Sequence, residues 1–543
     1  MKSVGVIFLL MFSSVVLNAQ SLEDAKLLFD NQRYRSAETK LHASISSEPI
    51  NAEAWATLIR CYLIQGKLEQ ASDSLALAPT SINEDPYIQV ASAGLLLTKN
   101  DTIAAKQLFE EVLKKTKSKD SKIITLIAAF NIESANPNYQ YAIELLHKTI
   151  KRDKKNATLY TLLGQAYRRQ MNGSEAYRAF MQAIDKNPQD SKAYYELAKL
   201  FGSQGNKELN TEFLNKTIAA NPSFAPAYYD LYEQFIYTNP ARAKELFALY
   251  RKNSDYSIQQ DYYYTDLLYL TKNYDSAIVT AQQLIGSQGN KAQPRLYKLI
   301  SYSLQEKGDT TQALTYMTTF FEKEADTNFI TKDYETMGLL LSATKGKEDS
   351  AISYFEKALA LTSTLQEQNN LLSKLVSLSK ASKNYEKEAY WLGKVYATDP
   401  SANNLTLFNW GLAAFRAKDF TQADSVFGLY VDKYSDQSFG YYWRARVNAA
   451  IDTAMEQGLA IPHYKKLIEV LAKDSLTSTS KKWMTEAYGY LATYEANTEK
   501  DYAESIQYFE KLLEIDPSNA DAEKYIGILE KNLEKQKKTE GQN

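Results

Sequence analysis

The sequence predicts an all-α chain built from one helical pair repeated many times, and three observations predict it. Glycine and proline are scarce, 20 and 12 in 543 residues, whereas a β-sandwich or barrel needs a turn about every 8–12 residues. Large apolar residues recur at helical spacing, as in Tyr160, Leu163 and Tyr167 around Gly164, which is the stripe of a helix that buries one face. The stripe itself returns after 34 residues. Tyr194, Leu197, Ala198 and Phe201 follow the first set at that interval, Pro222 follows Pro188, and Tyr228, Leu231 and Phe235 repeat the shift.

The clearest unit, 157–188, shows why the repeat needs its residue types. Two helices joined by a short turn approach closely only where side chains are small, and Gly164, Ala176 and Ala183 are those places. Tyr160, Leu163, Tyr167 and Phe180 fill the space around them as core. Asn187-Pro188 and Asn221-Pro222 stop the second helix, because the residue before proline is pushed out of the α region. These residues at this period resemble the tetratricopeptide repeat, a helix, a turn and a second helix. The resemblance implies a right-handed superhelical solenoid that holds other proteins.

Weaker copies carry the pattern along the chain. Ala37, Leu41 and Pro49 match a second helix, and Trp55, Leu58, Tyr62, Ala71 and Leu75 a full unit. Residues 86–153 keep mainly the second helices, through Ala105 with Phe109 and Ala142 with Leu146. Ala277, Ala313 with Met317, Ala351 with Phe355 and Ala358, Leu392 with Pro400, Gly411 with Ala423 and Phe427, and Ala492 with Phe509, Leu512 and Pro517 continue it. About 13–14 units are expected. Stretches 326–346 and 434–482 exceed a normal unit. A final helix near 519–538 reads as the polar cap an open row of repeats needs.

The expected organisation is a signal peptide at 1–19, a first array at 20–285, a hinge at 286–293, a second array at 294–518, and a capping helix with a charged tail at 519–543. Lys2 precedes an uncharged apolar run, Val4–Leu17, and Ala19 offers a small residue for cleavage. This is the pattern of an export signal, shorter than the roughly 20 residues of a bilayer span. The reading places the protein in the periplasm or at the outer membrane of a Gram-negative bacterium, with no membrane span in the mature chain. The one cysteine, Cys61, rules out an internal disulfide framework. Gly286-Ser287-Gln288-Gly289-Asn290 motivates the hinge.

Charge and motifs narrow the function. The 63 basic and 65 acidic residues nearly cancel, which gives no basic field for nucleic acid. His42, His147 and His463 show no metal-ligand spacing, and no nucleophile elbow, phosphate loop or dinucleotide fingerprint occurs. No enzyme, metal or cofactor is expected, and Cys61 reads as a buried small hydrophobe.

In the family resemblance, positions two, five, nine and twelve of each first helix face the inner groove. Those positions carry Tyr195, Tyr229 and Tyr262, with Thr161 before them, and Arg168, Lys199, Glu233, Asp266 and Tyr269 beside them. Rigid aromatic faces with separated charges suit a peptide or partner helix. Packing between neighbouring first helices is the alternative for the tyrosines. The function expected is a non-enzymatic scaffold for other envelope proteins. A surface protein that captures glycans or nutrients is the alternative.

A second pattern is Asp, then Ser or Thr, then a small or apolar residue. It places candidate acceptors at Ser74, Thr102, Ser276, Thr310, Ser350, Ser425, Thr453 and Ser475, where average usage would supply about two such triplets. It resembles the acceptor of a periplasmic O-glycosylation system. Helix capping accounts for Asp275 and Asp349, while Asp73 and Asp424 fall just inside their helices.

Overall fold

The computed structural model describes residues 21–399, 403–473, 475 and 477–540. The expected signal peptide, Pro400, Asp474 and Leu476 lie outside the described residues. Among the described residues every regular element is helical. Fourteen helical pairs follow one another, from 21–30 with Tyr34–Ser47 to Ser478–Tyr494 with Tyr502–Ile515, and one last helix, Ala520–Glu540, ends the row. Contacts divide the chain into two compact units, Met1–Ala292 and Gln293–Asn543.

Seven of the pairs are made by the same local chemistry. In these the first helix ends in a residue with positive φ, and the second begins behind an Asn or Asp that accepts a backbone N–H. At Gly205, φ is 74°, and Asn206 accepts from the Leu209 amide. Glycine is at home there because it has no Cβ to clash. Met171, Lys272, Lys383 and Lys418 hold the same left-handed turn without it, at some cost. Asn172, Asn384 and Asp419 are the caps that follow three of them.

Close approach within a pair is visible at Gly164, where an added Cβ would fall 2.5 Å from the Phe180 ring. Gly338 faces Phe355, and Gly411 faces Phe427, in the same way. The three rings are almost wholly buried. A glycine on the first helix thus lets a phenylalanine of the second lie flat against its backbone.

Residues 86–153 form two complete pairs, Pro86–Thr98 with Thr102–Lys115 and Ser121–Glu133 with Tyr139–Ile150. Their first helices escaped the pattern because both are apolar on nearly every face, as a helix packed on both sides must be. Stretch 326–346 holds a short 3-10 turn, Asp326–Asn328, and an ordinary first helix, Thr331–Ser342. In 434–482 the extra length is loop 452–460. The buried Asp452 carboxylate accepts from the amides of Glu456 (2.9 Å) and Gln457 (3.0 Å) to fold it. Within the expected hinge, Gly286, Ser287 and Gln288 continue the helix Tyr274–Gln288, and the break comes at Gly289, φ 53°.

Inside the first unit the chain meets itself. The Asp255 carboxylate, in the loop before helix Ile258–Leu270, accepts from the backbone amides of Arg35 (2.8 Å) and Ser36 (3.2 Å) and from the Ser36 hydroxyl. Arg33 Nε lies 3.6 Å away. Asn221 Nδ2 donates to Asn31 Oδ1 at 2.8 Å, and Lys192 approaches Asp30 at 3.9 Å. The first repeat is therefore joined to the turns between repeats six to eight.

Candidate functional site

First helices of successive repeats line two adjacent cavities in the first unit, of about 250 Å3 and 360 Å3. Phe29, Asp30 and Lys192 border both. Arg168, Tyr195, Glu196 and Lys199 line the smaller one. Arg60, Tyr87, Lys122 and Thr161 line the larger one.

Two carboxylates organise the charge, Glu196 buried and Glu133 half-buried. Glu196 accepts from Arg168 Nε (2.8 Å), Lys199 Nζ (2.8 Å) and Gln165 Nε2 (3.0 Å). Burial pushes its carboxyl up, but the charges of Lys199 and Arg168 and the hydrogen bonds overcome this and hold it below the usual range. Glu133 receives a two-pronged grip from Arg60, at 2.8 Å and 2.7 Å. Burial again raises it, and Arg60 reverses the sign. The Arg60 guanidinium also lies 4.7 Å over the Phe29 ring. Next to Tyr195, burial pushes Asp230 up to about 6 against the hydrogen bond from the tyrosine. Four carboxylates, Asp30, Glu53, Glu133 and Glu196, thus face seven basic residues, Lys26, Arg60, Lys122, Arg168, Arg169, Lys192 and Lys199. The inner wall carries an excess of positive charge.

Of the residues expected in the groove, Arg168, Tyr195 and Lys199 meet around the smaller cavity. Tyr229, Tyr262, Tyr269, Glu233 and Asp266 do not line it. The tyrosine series is corrected in kind as well as place. Tyr195 and Tyr262 are buried, 8 % and 3 % exposed, and Tyr195 packs against Phe224 at 5.0 Å under the Lys199 ammonium. Tyr229 sits among Tyr232, Tyr250 and Tyr263, and Tyr269 packs on Tyr274. These rings fill space between helices, since a first helix flanked by two others has little free face. Glu233 is exposed, and Asp266 is half-buried. The sequence reading missed Arg60, Glu133, Glu196 and Asp30. Counting the same ninth position along Ala52–Ile64 would have found Arg60.

The Asp-Ser/Thr triplets divide by exposure. Thr102, Ser276, Ser350, Ser425, Thr453 and Ser475 are exposed, Thr310 is half-buried, and Ser74 is buried inside helix Leu68–Leu77, closed to modification in the folded chain. Capping belongs to Asp101 and Asp309, which accept from Ala104 and Gln312 amides. Asp275 and Asp349 lie two residues further in, within the first turn, behind Asn273 and Lys347 at the cap positions. Asp424 lies within helix Phe420–Lys433 and accepts from Arg444 and Asn448.

His42 and His147 each bond a tyrosine hydroxyl of the next repeat, Tyr62 at 3.0 Å and Tyr167 at 2.8 Å. Cys61 is fully buried, and burial pushes its thiol up to about 12. Among the described residues no group of three or more His, Cys, Asp or Glu is arranged to hold a metal ion, and no helix is long and apolar enough to cross a membrane.

An all-α array of helix-turn-helix repeats with a charged inner wall is the class of protein that fold and site define. Family models described as tetratricopeptide repeat match residues 28–95, 161–223 and 490–519. The chain thus carries tetratricopeptide repeats, and tetratricopeptide-repeat proteins bind protein partners. A segment of 146 residues is 26% identical to the general transcriptional corepressor ssn6 of Schizosaccharomyces pombe, covering 26% of this chain and 13% of that protein. Among solved structures, the C-terminal part of a TPR repeat-containing protein from Cytophaga hutchinsonii is 27% identical. It covers 48% of this chain and 96% of its own, with a TM-score of 0.28. A tetratricopeptide repeat protein from Parabacteroides merdae is 18% identical over 49% of this chain and 97% of its own, also with a TM-score of 0.28.

Proposed function

We propose that the protein is a non-enzymatic scaffold of the bacterial cell envelope that holds segments of other envelope proteins along the inner wall of its first unit. The observation that carries this reading is the lined cavity pair. Arginines and lysines from several first helices converge there on fewer carboxylates, and the ring faces that could have bound by stacking are used in packing. Contacts from many repeats at once suit an extended chain with acidic side chains, where the charges set register.

The test is cross-linked affinity capture from envelope fractions with the parent and with Arg169→Glu/Lys122→Glu, two residues that line the cavities. One dominant protein held by the parent and lost from the variant supports the scaffold. Equal capture by both sinks the site, and retention on polysaccharide columns favours glycan capture.

The envelope location rests on the Val4–Leu17 run and Ala19. The mature chain is expected to begin at Gln20, and Edman sequencing of the native protein checks it. The same location makes the six exposed serines and threonines of the triplets candidate O-glycosylation sites. Mass spectrometry of the native protein that finds only unmodified peptides would remove them.

A further inference from the structure

The contact between the first repeat and repeats six to eight differs in kind from the contacts along the row. Neighbouring repeats share cores of alanine, leucine and phenylalanine. The seam has no such core: Phe29 belongs to the cluster built by the first repeats, Tyr195 and Phe224 to a separate one built by later repeats. What joins the two sides is polar. Asp255 caps the helix Tyr34–Ser47, which has no cap of its own because Arg33 at its N-cap makes no side-chain cap hydrogen bond. The Asn221–Asn31 bond and the long Lys192–Asp30 pair complete it.

The Asp255 and Lys192 contacts lie in reach of water and contribute little net stability each, because opening exchanges them for bonds to water, whereas Asn31 is buried and its bond to Asn221 is the firmer point of the seam. A burial-driven repeat interface has no such exchange available. The seam also sits where it matters, since Phe29 and Asp30 on one side and Lys192, Tyr195 and Phe224 on the other all line the smaller cavity.

We propose that the first repeat is a gate over the inner cavities of the first unit, latched by Asp255 and opened by parting the seam while each repeat stays folded. Closed, the latch holds the Asp30–Lys192 edge together and restricts entry. Open, it exposes Arg168, Glu196 and Lys199 along a continuous wall. The gate does not depend on what the cavity holds, so it is tested by access and not by binding.

A cysteine at Gln165, which is buried and lines the smaller cavity, serves as the probe, labelled with a charged methanethiosulfonate reagent. Native Cys61 is buried with a raised pKa and stays silent. The rate is measured in three forms of the full chain: Gln165→Cys alone, with Asp255→Asn, and with Asn31→Cys/Asn221→Cys oxidised to a disulfide. Asp255→Asn is expected to raise the rate about tenfold or more, and the disulfide to lower it by a similar factor. Leu163→Cys, in the repeat core outside the cavity lining, reports unfolding and is expected to stay protected in the Asp255→Asn background. Equal rates in the three forms would overturn the gate. So would parallel acceleration of Leu163→Cys, which would mean that the unit unfolds where the proposal has it open.

Discussion

Gly164→Ala is expected to destabilise the first unit although it places a better helix former inside a helix. The added methyl would lie 2.5 Å from two carbons of the Phe180 ring and 2.9 Å from a third. Ordinary carbon contacts sit at about 3.5–4.0 Å, so the ring must retreat by about 1 Å. It has nowhere to go, being fully buried in a cluster with Tyr160, Ala176 and Ala183. Overpacking of this kind costs about 1–3 kcal/mol, and the gain in helix propensity returns about 0.8–1 kcal/mol. The net loss is therefore as much as about 2 kcal/mol. Gly527→Ala is the matched comparison. It lies in helix Ala520–Glu540 with nothing within 4 Å of its added methyl, so only the propensity gain remains. Because repeat arrays unfold in parts, urea titration is read through hydrogen exchange of helices Ala157–Arg169 and Gly173–Lys186. Phe180→Leu in the Gly164→Ala background should recover part of the loss. If Gly164→Ala stabilises as much as Gly527→Ala, close approach is not the reason for the glycine.

Three further outcomes follow from buried charge and the buried thiol. Arg60→Met leaves the half-buried Glu133 carboxylate without its partner and is expected to cost about 1–3 kcal/mol, while Arg60→Met/Glu133→Leu should lie closer to the parent in chemical denaturation. Glu388 is 3 % exposed, and one of its oxygens has no hydrogen-bond partner. Burial raises its pKa against Lys380 and Arg416. The folded state then holds its proton to higher pH than the unfolded state, so stability falls as pH rises from the ordinary carboxylate range through the raised value. Glu388→Gln should raise the melting temperature at neutral pH, with the gain shrinking on acidification below the ordinary glutamate range. Cys61 should react with a thiol reagent at neutral pH only as fast as the surrounding repeat opens, and a native-state rate like that of a free thiol would contradict its burial.

The repeat was legible wherever a helix keeps one wet face, as in 157–235, since only then does apolar spacing show. It faded at Pro86–Thr98 and Ser121–Glu133, which are apolar all round because both faces are covered. It also faded at Glu388, which stands where other second helices carry alanine. There Ser379 is small and buried on the facing helix; elsewhere that position bears a tyrosine such as Tyr167. The compensation is invisible to a search for the small residue. The groove was half legible. Position counting found Arg168, Tyr195 and Lys199, but the same count cannot tell a ring that faces solvent from one covered by the next helix. Asp255 was not legible at all, because its partners, Arg35 and Ser36, lie in another repeat and follow no period.

Asp255 also changes what kind of polymer the first unit is. A row of repeats touching only their neighbours melts from its ends, because each terminal unit has one interface where the others have two. Bonding Arg35 and Ser36 to a loop 220 residues away gives the first repeat a second interface. The cost of closing so long a loop grows only with the logarithm of its length. Fraying at the amino end is thereby coupled to the middle of the unit, and a fold otherwise made of local contacts acquires one non-local step that can form only after its repeats have stacked.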